Sequence, residues 1–449
     1  MGDVHVPEHS YFGAQTQRAI ENFTISGLTF PPVFIHSLAL IKKCSAKVNA
    51  KLDLIDNKKA EAIANAANEV AGGHHDGQFP LDIFQTGSGT STNMNMNEVI
   101  SARANELLTG EIKVKGQIHP NDHVNLCQSS NDVIPTAIHI AASRLLRDQL
   151  IPSLNLLKDE LGKKATEFSR VYKIGRTHLQ DAVIMTLGNE FSGYARQIEL
   201  GIRRVDSVLE RLLMLALGGT AVGTGLNAHS DFAREVISLI ADDTGIPFIE
   251  STNHFESQAS CDTAVETSGI LKTIAVSMTK ISNDIRLLSS GPRCGLREIT
   301  IPPLQPGSSI MPGKINPVIP EAVIQACGQI MGNDAAITFG GQGGYFELNT
   351  MLPLIAHNLL QSITLMANSA TLMAEKCVSG ITANEKKCRQ NIKESLAIVT
   401  NLVPHIGYDR AAELAHKAYD ENRSIEDVAL AENIMPENQL LDILYGETR

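Results

Sequence analysis

Apolar residues recur at spacings of three and four over long stretches of the chain, the period that lines one face of an α-helix. The clearest stretch is 262–289, where Ile270, Ile274, Met278, Ile281, Ile285 and Leu288 share a face. Lys272, Lys280 and Asp284 mark the opposite face, but Ala275 and Val276 leave part of it apolar. A helix that is apolar on more than one side packs against neighbours on more than one side. Segments 133–168, 184–217, 318–338 and 352–377 carry the same pattern with almost no Pro or Gly. Together they predict a bundle of long helices extended by contacts between subunits.

The flanks differ. Residues 1–128 are mixed, with short helical patterns at 34–50 and 57–72 interrupted by Gly- and Asn-rich stretches. From about residue 387 the periodicity shortens and charge rises through Lys386, Lys387, Arg389, Lys393 and Glu394. Ser424-Ile425-Glu426-Asp427 ahead of an apolar run has the form of a capped helix start. The expected organisation is an N-terminal mixed domain over 1–128, a central helical bundle over 129–386 and a small C-terminal helical domain over 387–449.

Composition narrows the class. Hydrophobic residues at 43% and charged residues at 19% are those of a globular chain, and aromatics at only 4%, without Trp, suit packed helices. The net charge of −11 argues against a nucleic-acid partner, and means that an anionic substrate must be drawn in by a local cluster. The seven cysteines are scattered without a C-x-x-C pair, which predicts free thiols and no metal site. The first residues show no secretory pattern, Val6 stands where a myristoylation signal needs Ser or Thr, and no apolar run reaches membrane length. A cytoplasmic protein without a membrane partner is expected.

Four polar segments interrupt this helical background. The first, Gln85-Thr86-Gly87-Ser88-Gly89-Thr90, precedes an expected helix from Met94 to Leu108. Its small residues cap a helix and also leave N–H groups open to an anion, while a dinucleotide fingerprint and a P-loop are both incomplete. The second joins His119-Pro120-Asn121-Asp122 to Gln128-Ser129-Ser130-Asn131-Asp132, with Pro135 expected in a first helical turn. The third, Gly175-Arg176-Thr177-His178-Leu179-Gln180-Asp181, places a histidine in a polar setting between apolar segments. The fourth is Gly307-Ser308-Ser309-Ile310-Met311-Pro312-Gly313-Lys314-Ile315-Asn316, followed by Glu321. Its Pro and Gly suggest a hinged loop, in which Lys314 and Asn316 suit one carboxylate. Glu321 is placed to tune a histidine brought in from elsewhere.

Residues 307–316 resemble the signature loop of the fumarase/aspartase superfamily, and the other segments resemble further blocks of that family in its order. The resemblance runs from Tyr11-Phe12-Gly13 to His405-Ile406-Gly407. It implies a mainly α, three-domain subunit whose long helices form a twenty-helix core in a homotetramer, with active sites shared by three subunits. No cofactor is implied. Ser308 resembles the base that removes a proton next to a carboxylate, and His178 the group that handles the leaving hydroxyl through a water, with Glu321 as its partner. Ser88, Gly89, Thr90, Ser129, Ser130, Asn131, Thr177, Ser309, Lys314, Ile315 and Asn316 resemble ligands of the substrate and water. His119, Pro120, Asn121 and Asp122 resemble a second anion site, but the family's basic residue three positions before that histidine is Gly116 here.

Two activities within the superfamily compete. Thr-Gly-Ser-Gly-Thr, His-Pro-Asn-Asp and Ser-Ser-Asn-Asp resemble fumarases, which hydrate fumarate to L-malate; Val318-Ile319-Pro320 resembles the aspartase continuation, which implies release of ammonia from L-aspartate. A non-catalytic relative would have no need to keep Ser308, His178, Lys314 and Glu321 together.

Overall fold

The computed structural model describes residues 2–112 and 116–446. In chain order it contains α1 (Ala14–Asn22), α2 (Pro32–Lys51), α3 (Asn57–Ala71), α4 (Thr90–Thr109), α5 (Ser130–Leu145) and α6 (Ile151–Glu167). An antiparallel hairpin of β1 (Tyr172–Thr177) and β2 (Gln180–Thr186) follows, then α7 (Leu187–Leu212), α8 (Phe232–Thr244), α9 (His254–Ala259) and α10 (Asp262–Leu288). The remainder comprises α11 (Val318–Gly341), α12 (Leu352–Lys376), α13 (Glu385–Glu394), α14 (Val403–Ile406), α15 (Tyr408–Asp420), α16 (Ile425–Ala431) and α17 (Glu437–Tyr445). The fold is mainly α, as the periodicity predicts.

The chain forms two compact units. The first takes the chain up to Pro152, Gly201–Ala275 and Ala326–Asn368; the second takes Ser153–Leu200, Val276–Gln325 and the chain from Ser369 onward. In the first, α2 packs against α3, α5 and α8 and buries Phe34, Leu38 and Ile41 completely. In the second, Phe191 meets Phe168 and Tyr194 edge to face, with centroids 5.4 and 5.5 Å away. A separate cluster there joins Ile392, Leu402, Leu414, Val428 and Leu440 to Ile174 of β1, so the C-terminal helices share a core with the hairpin.

The long helices match the periodic segments, with three corrections. Segment 184–217 begins as strand, because residues up to Thr186 pair with β1, and its helix ends at Leu212. Segment 133–168 is broken by a wider turn over Leu146–Leu150. Pro135 lies in the second turn of α5, since Ser129 is the N-cap. The capped start at Ser424 is present, its Oγ accepting from Asp427 N at 3.0 Å. On α10, Ile274, Met278, Ile281, Ile285 and Leu288 are buried, whereas Val276 on the other side is 55% exposed.

Candidate active site

Within the first unit the hydroxyl-bearing segments meet. Ser88 Oγ lies 2.7 Å from Thr90 Oγ1, which lies 2.7 Å from Ser130 Oγ, a continuous row of three hydroxyls. Ser129 caps α5 through Asn131 N at 3.2 Å, and Asn131 Nδ2 donates to Ala221 O at 2.8 Å. Asp132 closes the capping box and also takes Gly218 N and Thr220 N on its second oxygen, each at 3.0 Å. The cap residues thus hold the backbone while Ser88, Thr90 and Ser130 form the hydroxyl row.

Gly87 has a different reason from the anion access expected of it. A Cβ there would meet Thr350 O at 2.0 Å, and Gly87 O accepts Leu352 N at 3.0 Å. It is packed against a neighbouring backbone. Gly89, at φ 71°, supplies the left-handed N-cap of α4.

His119 Nδ1 accepts from Asn121 N and Asp122 N at 3.3 and 3.2 Å, which turns that nitrogen back onto its own turn. Asp122 Oδ2 is 3.2 Å from the same nitrogen, so protonating it would exchange the cap for an ion pair. The missing basic side chain at position 116 has a steric explanation. A Cβ on Gly116 would fall 1.9 Å from Asn105 Oδ1, and Asn105 is held by two bonds to the Ile118 backbone.

The second unit holds the other candidates. Ser308 Oγ accepts from Ile310 N at 3.2 Å and Met311 N at 3.1 Å, so two N–H dipoles point at the proposed base. The loop is closed by Gly307 N donating to Lys314 O and by Asn316 Nδ2 donating to Gly307 O, both at 2.7 Å. Asn316 thus spends one amide hydrogen on the loop itself. Ser309 and Ile315 are exposed on the same loop.

Lys314, Ile315, Asn316 and Glu321 line a cavity of about 610 Å³ with Arg286 and Arg297. Three cations against one carboxylate make it suited to a dianion. Glu321 Oε1 is 4.0 Å from Arg286 Nη2, and Arg286 Nη1 donates to Asn283 Oδ1 at 3.0 Å. Arg286 and Arg297 escape sequence reasoning, because an arginine near a helix end reads as a solvated charge.

Thr177 and His178 lie at the tip of the β1–β2 hairpin, both exposed. His178 and Leu179 form its two-residue turn with φ of 55° and 60°, a conformation that usually selects Asn or Gly. Next to the turn, Arg176 grips Glu298 through two bonds of 2.7 and 3.0 Å. Burial alone would raise the Glu298 carboxyl, but Arg176 and Lys173 hold it below the usual range. The ring of His178 is thus carried on an anchored hairpin, and Glu321 pairs with Arg286 within the subunit.

Comparison with known proteins shows the family. The family described as Lyase matches residues 2–332, and the one described as Fumarase C C-terminus matches 398–447. A class II fumarate hydratase of Nitrosomonas europaea is 54% identical over 96% of this chain and 93% of that protein. The mitochondrial fumarate hydratase of Rhizopus oryzae is 52% identical over 96% of this chain and 87% of that protein. Among solved structures, recombinant class II fumarase from Schistosoma mansoni superposes with a TM-score of 0.95 at 42% identity, covering 99% of this chain and 96% of that one.

Proposed function

We infer the chemistry from the premise that this chain belongs to the class II fumarate hydratases of the lyase family. It is a lyase of the carbon–oxygen class, hydrating fumarate reversibly to L-malate, and not an aspartate ammonia-lyase. The residues that resemble the aspartase pattern, Val318, Ile319 and Pro320, form the first turn of α11 and do not line the cavity, whereas Pro317 and Glu321 on either side do.

In the dehydration direction, Ser308 Oγ takes the proton from the carbon next to one carboxylate. The electron pair moves into that carboxylate as an aci-carboxylate, then returns to form the carbon–carbon double bond as the C–O bond to the hydroxyl breaks. His178 supplies the proton that lets the hydroxyl leave as water, with Glu321 of another subunit stabilising the imidazolium. The two N–H donors at Ser308 stabilise an alkoxide, which a serine needs to be a base. Lys314 and Asn316 receive the charge that grows on the aci-carboxylate, typically the largest catalytic contribution. Ser88, Gly89, Thr90, Ser129, Ser130, Asn131 and Thr177 hold the remaining carboxylate and the water, with Ser309 and Ile315 contributing backbone contacts. His119 Nε2 and Asn121 are the donors left for a second anion site.

A homotetramer accompanies this assignment. Val276 and Phe339 are exposed in the single chain at 55% and 63%, and the small residues Ala322, Gly328, Gly332 and Ala335 occupy exposed positions of α11. Such faces suit close helix packing between copies. The same reading includes a cytoplasmic enzyme and domain divisions at residues 128 and 386. No helix among the described residues is long and apolar enough to cross a membrane.

The observation that carries the mechanism is Ser308 Oγ under two N–H donors in the loop that presents Lys314. Purified protein is expected to form fumarate, followed by its ultraviolet absorbance, from L-malate and not from L-aspartate. Ser308→Ala should lower kcat by about 100-fold or more. Unchanged turnover in that variant would remove Ser308 as the base.

A further inference from the structure

The first unit contains a buried cation that the catalytic assignment leaves unused. Lys42, in the middle of α2, has no solvent exposure. An ammonium so placed is costly unless the fold needs its charge. Its Nζ donates to Asn125 Oδ1 at 2.9 Å, and the same oxygen accepts Asn93 Nδ2 and Asn97 Nδ2 from α4, each at 3.1 Å. Asn125 Nδ2 in turn donates at 3.0 Å to the carbonyl of Gln128, the residue ahead of Ser129.

Asp132 is also fully buried; burial raises its carboxyl, while backbone N–H donors and the Lys42 ammonium act in the opposite direction. Asp132 fixes three backbone N–H groups, those of Ser129, Gly218 and Thr220. The cluster thus joins the segments that carry the hydroxyl row. Asn93 is one turn beyond Thr90 on α4, and Asp132 is two residues beyond Ser130 on α5. Burial draws the ammonium down to about 7, and the Asp132 charge opposes that loss.

We propose that Lys42 is a positioning residue for the reaction: by holding Asn125 and balancing Asp132, it sets the spacing of the Thr90 and Ser130 hydroxyls that receive a substrate carboxylate. The inference rests on the assignment of those hydroxyls to the substrate, and the experiment separates the two. Lys42→Met removes the ammonium at similar length, and Asn125→Ala removes the shared acceptor while keeping both buried charges. Each is expected to raise KM for L-malate tenfold or more with kcat within threefold of the parent, in protein that still melts cooperatively. A lower melting temperature with unchanged KM would make the role purely structural and overturn the proposal. If Lys42→Met does not fold, Asn125→Ala decides alone. Thr90→Val and Ser130→Ala test the underlying assignment. Unchanged KM in those two would remove the hydroxyls from the substrate site. A raised KM in them alone would remove only Lys42.

Discussion

Ser308 shows how far one residue can be read before its surroundings are known. Its place in a loop rich in Ser, Lys and Asn marks it as chemically active, but a serine hydroxyl alone is a poor base. The two N–H groups aimed at its Oγ come from the turn that the loop adopts, which composition does not report. Gly87 and Gly116 teach the converse. Gly87 looks like a feature of a ligand site and Gly116 like the loss of one, and each is required by a packed neighbour, the Thr350 backbone in one case and Asn105 in the other. Glu69 carries a prediction at this scale. Arg103 donates to both its oxygens at 2.7 and 3.0 Å, with His75 as a further donor at 3.1 Å, and Arg103 chiefly holds its carboxyl at about 2. Its folded value is below the ordinary 4.5, so the pair stabilises the fold above that pH and the gain disappears as pH falls toward 2. Glu69→Gln should lower the melting temperature near neutrality, and the difference from the parent should shrink across that window. A difference independent of pH would mean that the ion pair contributes nothing.

Among elements, the long helices are legible because a period of three and four survives over many turns, as α10 and α12 show. The β1–β2 hairpin is not. Its turn, His178-Leu179, lacks the Asn or Gly that signals a tight hairpin, and the pairing register shifts between Ile174 and Arg176. Tertiary contacts hold it instead. Glu298, fully buried, bonds Arg176 and Asn391 and lies 3.2 Å from Lys173, which also meets Glu190 at 3.0 Å. Removing the carboxylate leaves the buried Lys173 with Glu190 alone and the partly buried Arg176 without its ion-pair partner, so Glu298→Gln should cost on the order of 3–5 kcal/mol, measured by denaturant unfolding. It should also loosen the hairpin that carries His178, and so reduce kcat at temperatures where the variant is still folded. A loss below about 1 kcal/mol would place this cluster with ordinary surface ion pairs.

At the scale of the whole molecule, we propose that the site is shared between copies of the chain. Glu321 lies 4.0 Å from Arg286 inside the subunit, and His178 stands exposed at a hairpin tip, which leaves its ring accessible to a second copy. Mixing inactive His178→Ala and Ser308→Ala chains should therefore restore activity in mixed tetramers, and no recovery in tetramers shown to have mixed would refute the shared site. The solution mass should be near four times 48.5 kDa, measurable by light scattering. Sequence alone determined the helical class, the four donor-rich segments and the lyase family, because helical periodicity and short loop motifs are local properties of the chain. Only the tertiary structure decided that Ser88, Thr90 and Ser130 form one row, that Arg286 faces Glu321, and that Lys42 and Asp132 share an interior. Those relations join residues distant in the chain, and for Lys42 and Asp132 burial gives the relation its energetic meaning by removing the water that would otherwise satisfy them.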